Sequence, residues 1–480
     1  MKLPIGFETI HLKPYPYQIE TINYGILHRN AGILLSMGLG KTMCAINIAR
    51  YRIQNDNCKK VLVICPLTIM DKWKKEIQLI SEYKATIVRG TPQQKKELIK
   101  QDTHFHIINY DALARLFVPL EDKKFDILIA DESARFIQNP TPKRTEAALY
   151  LSKIAKHRML LTGILISKRP LNLWSQFSFL DKGKTFGDNF YRFRNTYFYQ
   201  ISLGESKFKK YVVNKRRIAD INKKIFSTCI LFDRKEISDQ LPEVLPTCKS
   251  VIVMDEDLQN TYDNIKQNIL SEIATEGGEV KLGRIKILGR LIRLQQITSG
   301  FIKDSTGEYV RLSQTPKLDA LVEEIESIYD DDESMVIWCC FLFSIDMIKK
   351  ELAKREIAYI SMTGADSAKE KNKKWMNYQK TNKIKVFIGQ IVAGGIGIEL
   401  FKLDATENEI QHMLFYDRTW VFDHTEQAAG RINRLGQKAK VRYNHFVVEN
   451  SIDEKMYDTQ TSDKDIADEI MSHGVKKFLT

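Results

Sequence analysis

"ILLSMGLGKTMCAINIA", residues 33 to 49, is the stretch that decides how the chain is read. It passes from an apolar run through a glycine-containing turn to Lys41-Thr42, and then into apolar residues at helical spacing. Gly38 and Gly40 carry no side-chain bulk, so backbone N–H groups around them can approach phosphate oxygens. The N-terminus of the following helix adds the positive end of its dipole. In this reading Met37, Gly38, Leu39 and Gly40 cradle the phosphates, Lys41 reaches the outer ones, and Thr42 holds Mg²⁺. The first glycine of the usual G-x-x-x-x-G-K-T spacing is missing, since Leu35 stands there. The strand before the loop and the helix after it carry the assignment.

"ILIADE", residues 127 to 132, supplies the second half. A carboxylate at the carboxyl end of a buried strand lies beside a phosphate loop in such sheets. Asp131 can then bind Mg²⁺ directly or through water, and Glu132 can take a proton from an attacking water. Two acids that merely cap a strand would look the same in isolation; the phosphate loop upstream argues for chemistry.

Around these motifs, short apolar runs at 32–37, 61–66, 106–109, 127–131 and 158–163 alternate with amphipathic segments. Continuous β-rich runs separated in this way predict parallel strands buried on both faces, with crossover helices. The rhythm lapses between about 170 and 315, where aromatic and Lys-rich segments predict a mainly helical insertion, and returns at 335–340, 358–364, 385–390, 412–417 and 442–448. The expected organisation is α/β: a first lobe over 1–175, an insertion and linker over 176–314, a second lobe over 315–460 and a helical tail over 461–480. At 480 residues the chain is long enough for two such cores.

The net charge of +13 makes a polyanion the first partner to consider. Seven cysteines form no C-x-x-C pair and no histidine cluster stands at metal spacing, so neither a zinc site nor a disulfide framework is suggested, and a reducing cytoplasm fits. No apolar run of about 18 residues is present to span a membrane. The expectation is a cytoplasmic protein, or one of the host cytoplasm if viral.

Taken in order, the motifs resemble those of the Snf2-type translocases of helicase superfamily 2. "YPYQ" with Gln18 resembles the upstream motif that contacts adenine, and "MGLGKT" the family's phosphate loop, which also lacks the first glycine. "VLVICPLTIMDKWKKEI", "DESARFIQN" and "LLTGILISKRPLNLWSQFSFLD" resemble motifs Ia, II and III. "LFDRKEISDQLPE", "GGIGIEL" and "EQAAGRINRLGQ" resemble the Arg-Lys…Leu-Pro element, motif V and motif VI. The resemblance implies two RecA-like P-loop lobes with ATP and Mg²⁺ in the cleft between them. It implies cofactor contacts from Gln18, Gly397 and Gln427, and arginine fingers at Arg431 and Arg434, three apart on an expected helix. It also implies a track on double-stranded DNA phosphates through Pro66, Thr68, Tyr110, Gly364, Gly394 and Gly395. Lys286 and Arg290 at helical spacing, and the segment from Lys207 to Arg217, can extend that track or be solvated faces.

No chromatin reader, nuclease or helix-turn-helix module is visible, so a recruiting protein is an expected partner. The composition fits a bacteriophage or bacterial source. Three positions depart from the family pattern: Ala134 where histidine is expected, Ile164 and Leu165 in place of Thr-Pro, and Glu399 in place of asparagine. Loss of both members of a polar pair can be nearly neutral, which makes 134 and 164 a repacked contact. A carboxylate at 399 is expected to repel DNA phosphates. The leading expectation is an ATP-dependent duplex-DNA translocase with altered coupling. A strand-separating DNA or RNA helicase in replication or recombination, and a DNA-bound scaffold with little ATPase activity, stay open.

Overall fold

The structure, a computed structural model, describes residues 2–36, 38–138, 142–163, 170–202, 209–233, 236–237, 241–275, 278–304, 306–391, 398–434, 436–462 and 479. For 201, 202, 209, 210, 278–285, 368, 422 and 423 it describes the backbone only. Two compact units result, one of Met1–Leu203 with Lys207–Ile237 and one made chiefly of Ser238–Thr480.

The first unit carries β1 (Asn30–Leu35), β2 (Val61–Cys65), β3 (Ala85–Ile87), β4 (Phe105–Asn109), β5 (Ile127–Asp131), β6 (His157–Thr162), β7 (Phe198–Ser202), β8 (Lys209–Val213) and β9 (Cys229–Phe232). Seven of these form one sheet in the order β3-β4-β2-β5-β6-β1-β9, and every pair in it is parallel. β2 and β5 are buried at each position, as strands covered by helices on both faces must be. β7 and β8 form a separate antiparallel hairpin.

Register decides where the site lies. Leu34 of β1 pairs with Thr162 of β6, and Leu161 of β6 pairs with Asp131 of β5. The loop after Leu35 and the acids at 131 and 132 therefore leave the same edge of the sheet, one strand apart. That edge, outside the carboxyl ends of parallel strands, is where open α/β sheets bind ligands.

The second unit carries β10 (Cys248–Ile252), β11 (Phe301–Lys303), β12 (Tyr309–Arg311), β13 (Ser334–Cys339), β14 (Tyr359–Met362), β15 (Val386–Gln390), β16 (Ile410–Phe415) and β17 (Lys440–Val448). Its sheet, in the order β10-β17-β16-β13-β15-β14, is again parallel throughout. The long helices Glu256–Thr275 and Gly278–Thr298 share its core, with Ile269, Ile273, Leu291 and Leu294 in one cluster with Met335 and Ile337.

The segment expected as a helical insertion is more than that. It gives each sheet an edge strand, β9 against β1 and β10 against β17, besides two hairpins. β9 lies so close to β1 that a Cβ on Gly32 would stand 2.2 Å from Cys229 Sγ. Gly32→Ala is expected to push the edge strand away, costing about 1–3 kcal/mol in denaturant unfolding. Adding Cys229→Ala, which removes the obstructing sulfur, should recover most of that loss.

Candidate nucleotide site

Gly38 and Gly40 adopt φ of 85° and 81°, and Gly40 is the N-terminal cap of the helix Lys41–Asn55. A side chain at Gly40 would be strained by that φ and would also meet Gln18 Nε2 at 2.5 Å. Leu35, where a first glycine was missing, ends β1 with its side chain fully buried. There it packs in the core and has no glycine conformation to supply. Met37 lies outside the described residues.

Neighbouring side chains hold the loop. Gln18 is 3% exposed; its Oε1 accepts from Tyr15 N at 3.0 Å and its Nε2 donates to Leu39 O at 3.1 Å and to Tyr17 Oη at 3.2 Å. The amide expected to contact adenine thus caps its own helix and fastens the phosphate loop. Tyr17 Oη also donates to Leu39 O. From β9, Phe232 O accepts from Ser36 N, and Asp233 Oδ1 accepts from Ser36 Oγ at 3.1 Å. Lys41 Nζ donates to Leu35 O at 2.8 Å and Ser36 O at 3.5 Å, placing the ammonium at the loop's mouth. Thr42 is half-buried in the first turn of the helix.

Asp131 is 5% exposed. Its Oδ2 accepts from Trp73 Nε1 at 2.9 Å and its Oδ1 from Glu132 N at 2.9 Å. Burial, and after it the adjacent Glu132, push the carboxyl up to about 6, against the opposing effects of Trp73 and Lys41. Glu132 itself stands at φ 51°, left-handed for a residue with a Cβ, at the start of the short helix Ser133–Phe136. Backbone strain of this kind costs about 1 kcal/mol or more and clusters at functional sites. Ala134 is buried, and the adjacent Ser133 Oγ donates to Gln176 Oε1 at 3.3 Å, joining this segment to the helix Asn172–Asp181. Ile164 and Leu165 lie outside the described residues.

Trp73 and Asp233 were not singled out in the sequence. Trp73 belongs to the amphipathic helix Met70–Ile80, where an aromatic at helical spacing reads as core; only its indole N–H gives it a polar task.

In the second unit the expected helix through Arg431 and Arg434 is absent. The helix Phe422–Ala429 stops at Gly430, and both arginines lie in the turn that follows. Both side chains are buried. Arg431, 2% exposed, donates through Nη1 to Ile398 O at 3.1 Å, while its own carbonyl accepts from Leu400 N. Arg434, 8% exposed, pairs through Nη1 with Glu399 Oε1 at 2.9 Å and donates through Nε to Gly430 O. The carboxylate expected to repel phosphates is therefore matched by a guanidinium. Gln427 is half-buried on the helix; Gly394, Gly395 and Gly397 lie outside the described residues.

The other expected nucleic-acid contacts divide. Thr68, Gly364 and Lys286 are exposed, and Pro66 is buried. Tyr110 is 2% exposed, stacks on Phe136 at 4.7 Å and donates to Asp131 O at 2.7 Å. Arg290 is largely buried and pairs with Glu272 at 3.0 Å, which leaves its charge compensated. Lys207 lies outside the described residues. Among the described residues no cluster of three metal-ligating side chains occurs, and no helix is long and apolar enough to cross a membrane.

The sequence model of the SNF2-related domain matches residues 17–300, more than half of the chain. The chain belongs to the SNF2-related domain family. It is 24% identical to the uncharacterized ATP-dependent helicase MG018 of Mycoplasma genitalium, over 93% of this chain and 41% of that protein. It is also 24% identical to the ISWI chromatin-remodeling complex ATPase ISW1 of Saccharomyces cerevisiae, over 93% of this chain and 39% of that protein. The chain thus spans about two fifths of the length of these curated relatives. The crystal structure of the Pyrococcus furiosus Hef helicase domain superposes with a TM-score of 0.56 at 14% identity, covering 93% of this chain and 98% of that one. The fold of this family member is accordingly two RecA-like lobes, each a parallel sheet flanked by helices.

The folded value of Asp131 lies above the ordinary 3.8, so the group contributes stability below about pH 4 that is lost as pH rises through about 6. Carbon-detected NMR of the nucleotide-free protein should show this carboxyl titrating near 6. Glu132→Gln removes the second-largest cause of the shift and should move the midpoint down.

Proposed function

We propose that the chain is an ATP-dependent translocase on double-stranded DNA, hydrolysing ATP to ADP and phosphate. The observation that carries this reading is the phosphate loop and the Asp131–Glu132 pair at one sheet edge, one strand apart. Loop N–H groups and Lys41 bind the phosphates. Glu132, strained and partly exposed beside the buried aspartate, accepts the proton of the attacking water. Arg431 and Arg434 are the guanidiniums assigned to charge on the transferred phosphoryl group.

The residues fit Mg²⁺. The Thr42 hydroxyl and the Asp131 carboxylate are hard oxygen donors, and one or two protein oxygens plus substrate phosphates are this ion's usual set. A carboxyl raised by burial and by a neighbouring acid gains most from a cation beside it. When bound, Mg²⁺ neutralises charge on the outer phosphates.

Duplex DNA as the track is supported by the family and by the net charge of +13. Phosphate contacts of this kind carry little sequence information, so binding should be salt-sensitive and sequence-tolerant. Coupling differs from the family pattern in two places. Ser133–Gln176 supplies a hydrogen bond next to Ala134, which has none to give. Glu399 holds Arg434 within its own unit.

Steady-state phosphate release with and without duplex DNA tests the reading. DNA should stimulate the wild type, and Glu132→Gln should lose roughly a hundredfold or more. Equal background rates in both proteins would show that the chain is no motor, and strand separation on a forked duplex would favour the helicase alternative. Glu399→Asn releases an ion pair worth about 1 kcal/mol. It should raise the DNA-free rate roughly fivefold and leave the DNA-saturated rate near wild type.

A further inference from the structure

The helix Phe190–Tyr197 and the turn Lys215–Arg217 lie in the first unit, outside the nucleotide site. On its inner side the helix is fixed: Phe193 and Tyr197 are buried among Phe186 and Phe198. On its outer side Tyr191 is 65% exposed. The Arg194 guanidinium lies 5.2 Å from the Tyr191 ring centre and 4.7 Å from that of Tyr211, forming a stack of ring, cation and ring. Two bonds lock the basic turn to the same helix. Asn214 N donates to Tyr197 O at 2.8 Å, and Tyr197 Oη donates to Asp220 Oδ2 at 3.0 Å. Arg192, Lys215, Arg216, Arg217 and Lys223 are exposed around this framework.

We propose that this surface binds unpaired DNA bases, one of them stacked on Tyr191, with the Lys215–Arg217 turn on the adjoining phosphates. Phosphate binding alone needs only the cations. An exposed ring held in place by a guanidinium adds a π face, and inside a duplex the base faces are already covered by their neighbours. An unpaired base presents a free one, and aromatic side chains beside a basic track are how single strands are held without sequence preference. Charge complementarity selects a nucleic acid over a neutral or basic peptide. The proposal rests on the nucleic-acid reading above and adds a place for strand ends, gaps or forks.

The test is fluorescence anisotropy without ATP, using a labelled duplex with a single-stranded thymidine tail and the blunt duplex of equal length. Wild type should bind the tailed probe more tightly. Tyr191→Ala should weaken that binding about tenfold, leaving the blunt duplex unaffected, and Tyr191→Phe should retain it. Because the side chain is mostly exposed, the melting temperature of Tyr191→Ala should match wild type. Replacing Lys215, Arg216 and Arg217 by alanine should make the log–log salt dependence shallower, by roughly 0.7 for each phosphate that is no longer neutralised. If Tyr191→Ala binds both probes like wild type, the stacking site is refuted while the duplex reading stands. If wild type binds neither probe, both readings fall.

Discussion

A carboxylate buried at the end of a central strand is the constraint around which the first unit is arranged. Asp131 cannot be ionised there without compensation, and each neighbour supplies some of it: the Trp73 indole N–H, the Glu132 amide and the Lys41 ammonium. The compensation is incomplete, since the carboxyl stays raised to about 6. An acid left short of positive charge is unfavourable in the bare protein and favourable for a cation-bearing ligand. The Glu132 amide donates to Asp131 Oδ1, and the left-handed φ of 51° at Glu132 separately sets the direction in which its own side chain leaves the strand.

The phosphate loop meets an opposite demand, because its N–H groups must stay free while its carbonyls are anchored. Leu39 O accepts from Gln18 and Tyr17, and Leu35 O and Ser36 O accept from Lys41. Ser36 is tied to the edge strand through Phe232 O and Asp233. Most of the anchoring falls on acceptors, with Ser36 N and Leu39 N the loop donors that are engaged, to Phe232 O and Ser36 O. This also explains why a buried leucine serves at position 35: the loop is shaped from outside by Gln18 and β9, and its own first residue needs no special backbone freedom.

What the sequence made legible follows from this physics. Strands with continuous apolar runs, such as β2, β5 and β13, are legible to within a residue, because burial on both faces demands such runs. β9, an apolar run of only four residues, and β10, interrupted by Lys249 and Ser250, carry a weaker signal and read as part of the expected helical insertion. Motif residues fixed which groups gather at the sheet edge but not how each side chain is engaged. Gln18 and Tyr110 have the residue types of ligand contacts, yet their polar atoms close the loop and back the acids. The helix expected through Arg431 ends at Gly430, and the spacing of two arginines cannot report that.

Glu399 shows how one substitution can change sign with context. Read along the chain, a carboxylate beside a glycine-rich loop is a charge facing phosphates. In the fold it lies 2.9 Å from Arg434, and the two segments are joined twice more, through Arg431 Nη1 to Ile398 O and Leu400 N to Arg431 O. Joined in this way over so short a stretch, 398–400 and 431–434 form a single brace. The backbone bond from Leu400 and the Arg431 side-chain bond fix the geometry, and the ion pair sets the charge. An asparagine could keep the brace but would leave the guanidinium uncompensated. With glutamate, Arg434 can serve another anion only when that anion outcompetes Glu399 or the loop draws it aside. A partly exposed pair is worth little in stability. Its weight lies in charge, since at 2.9 Å the Glu399 carboxylate occupies a guanidinium that is otherwise almost buried.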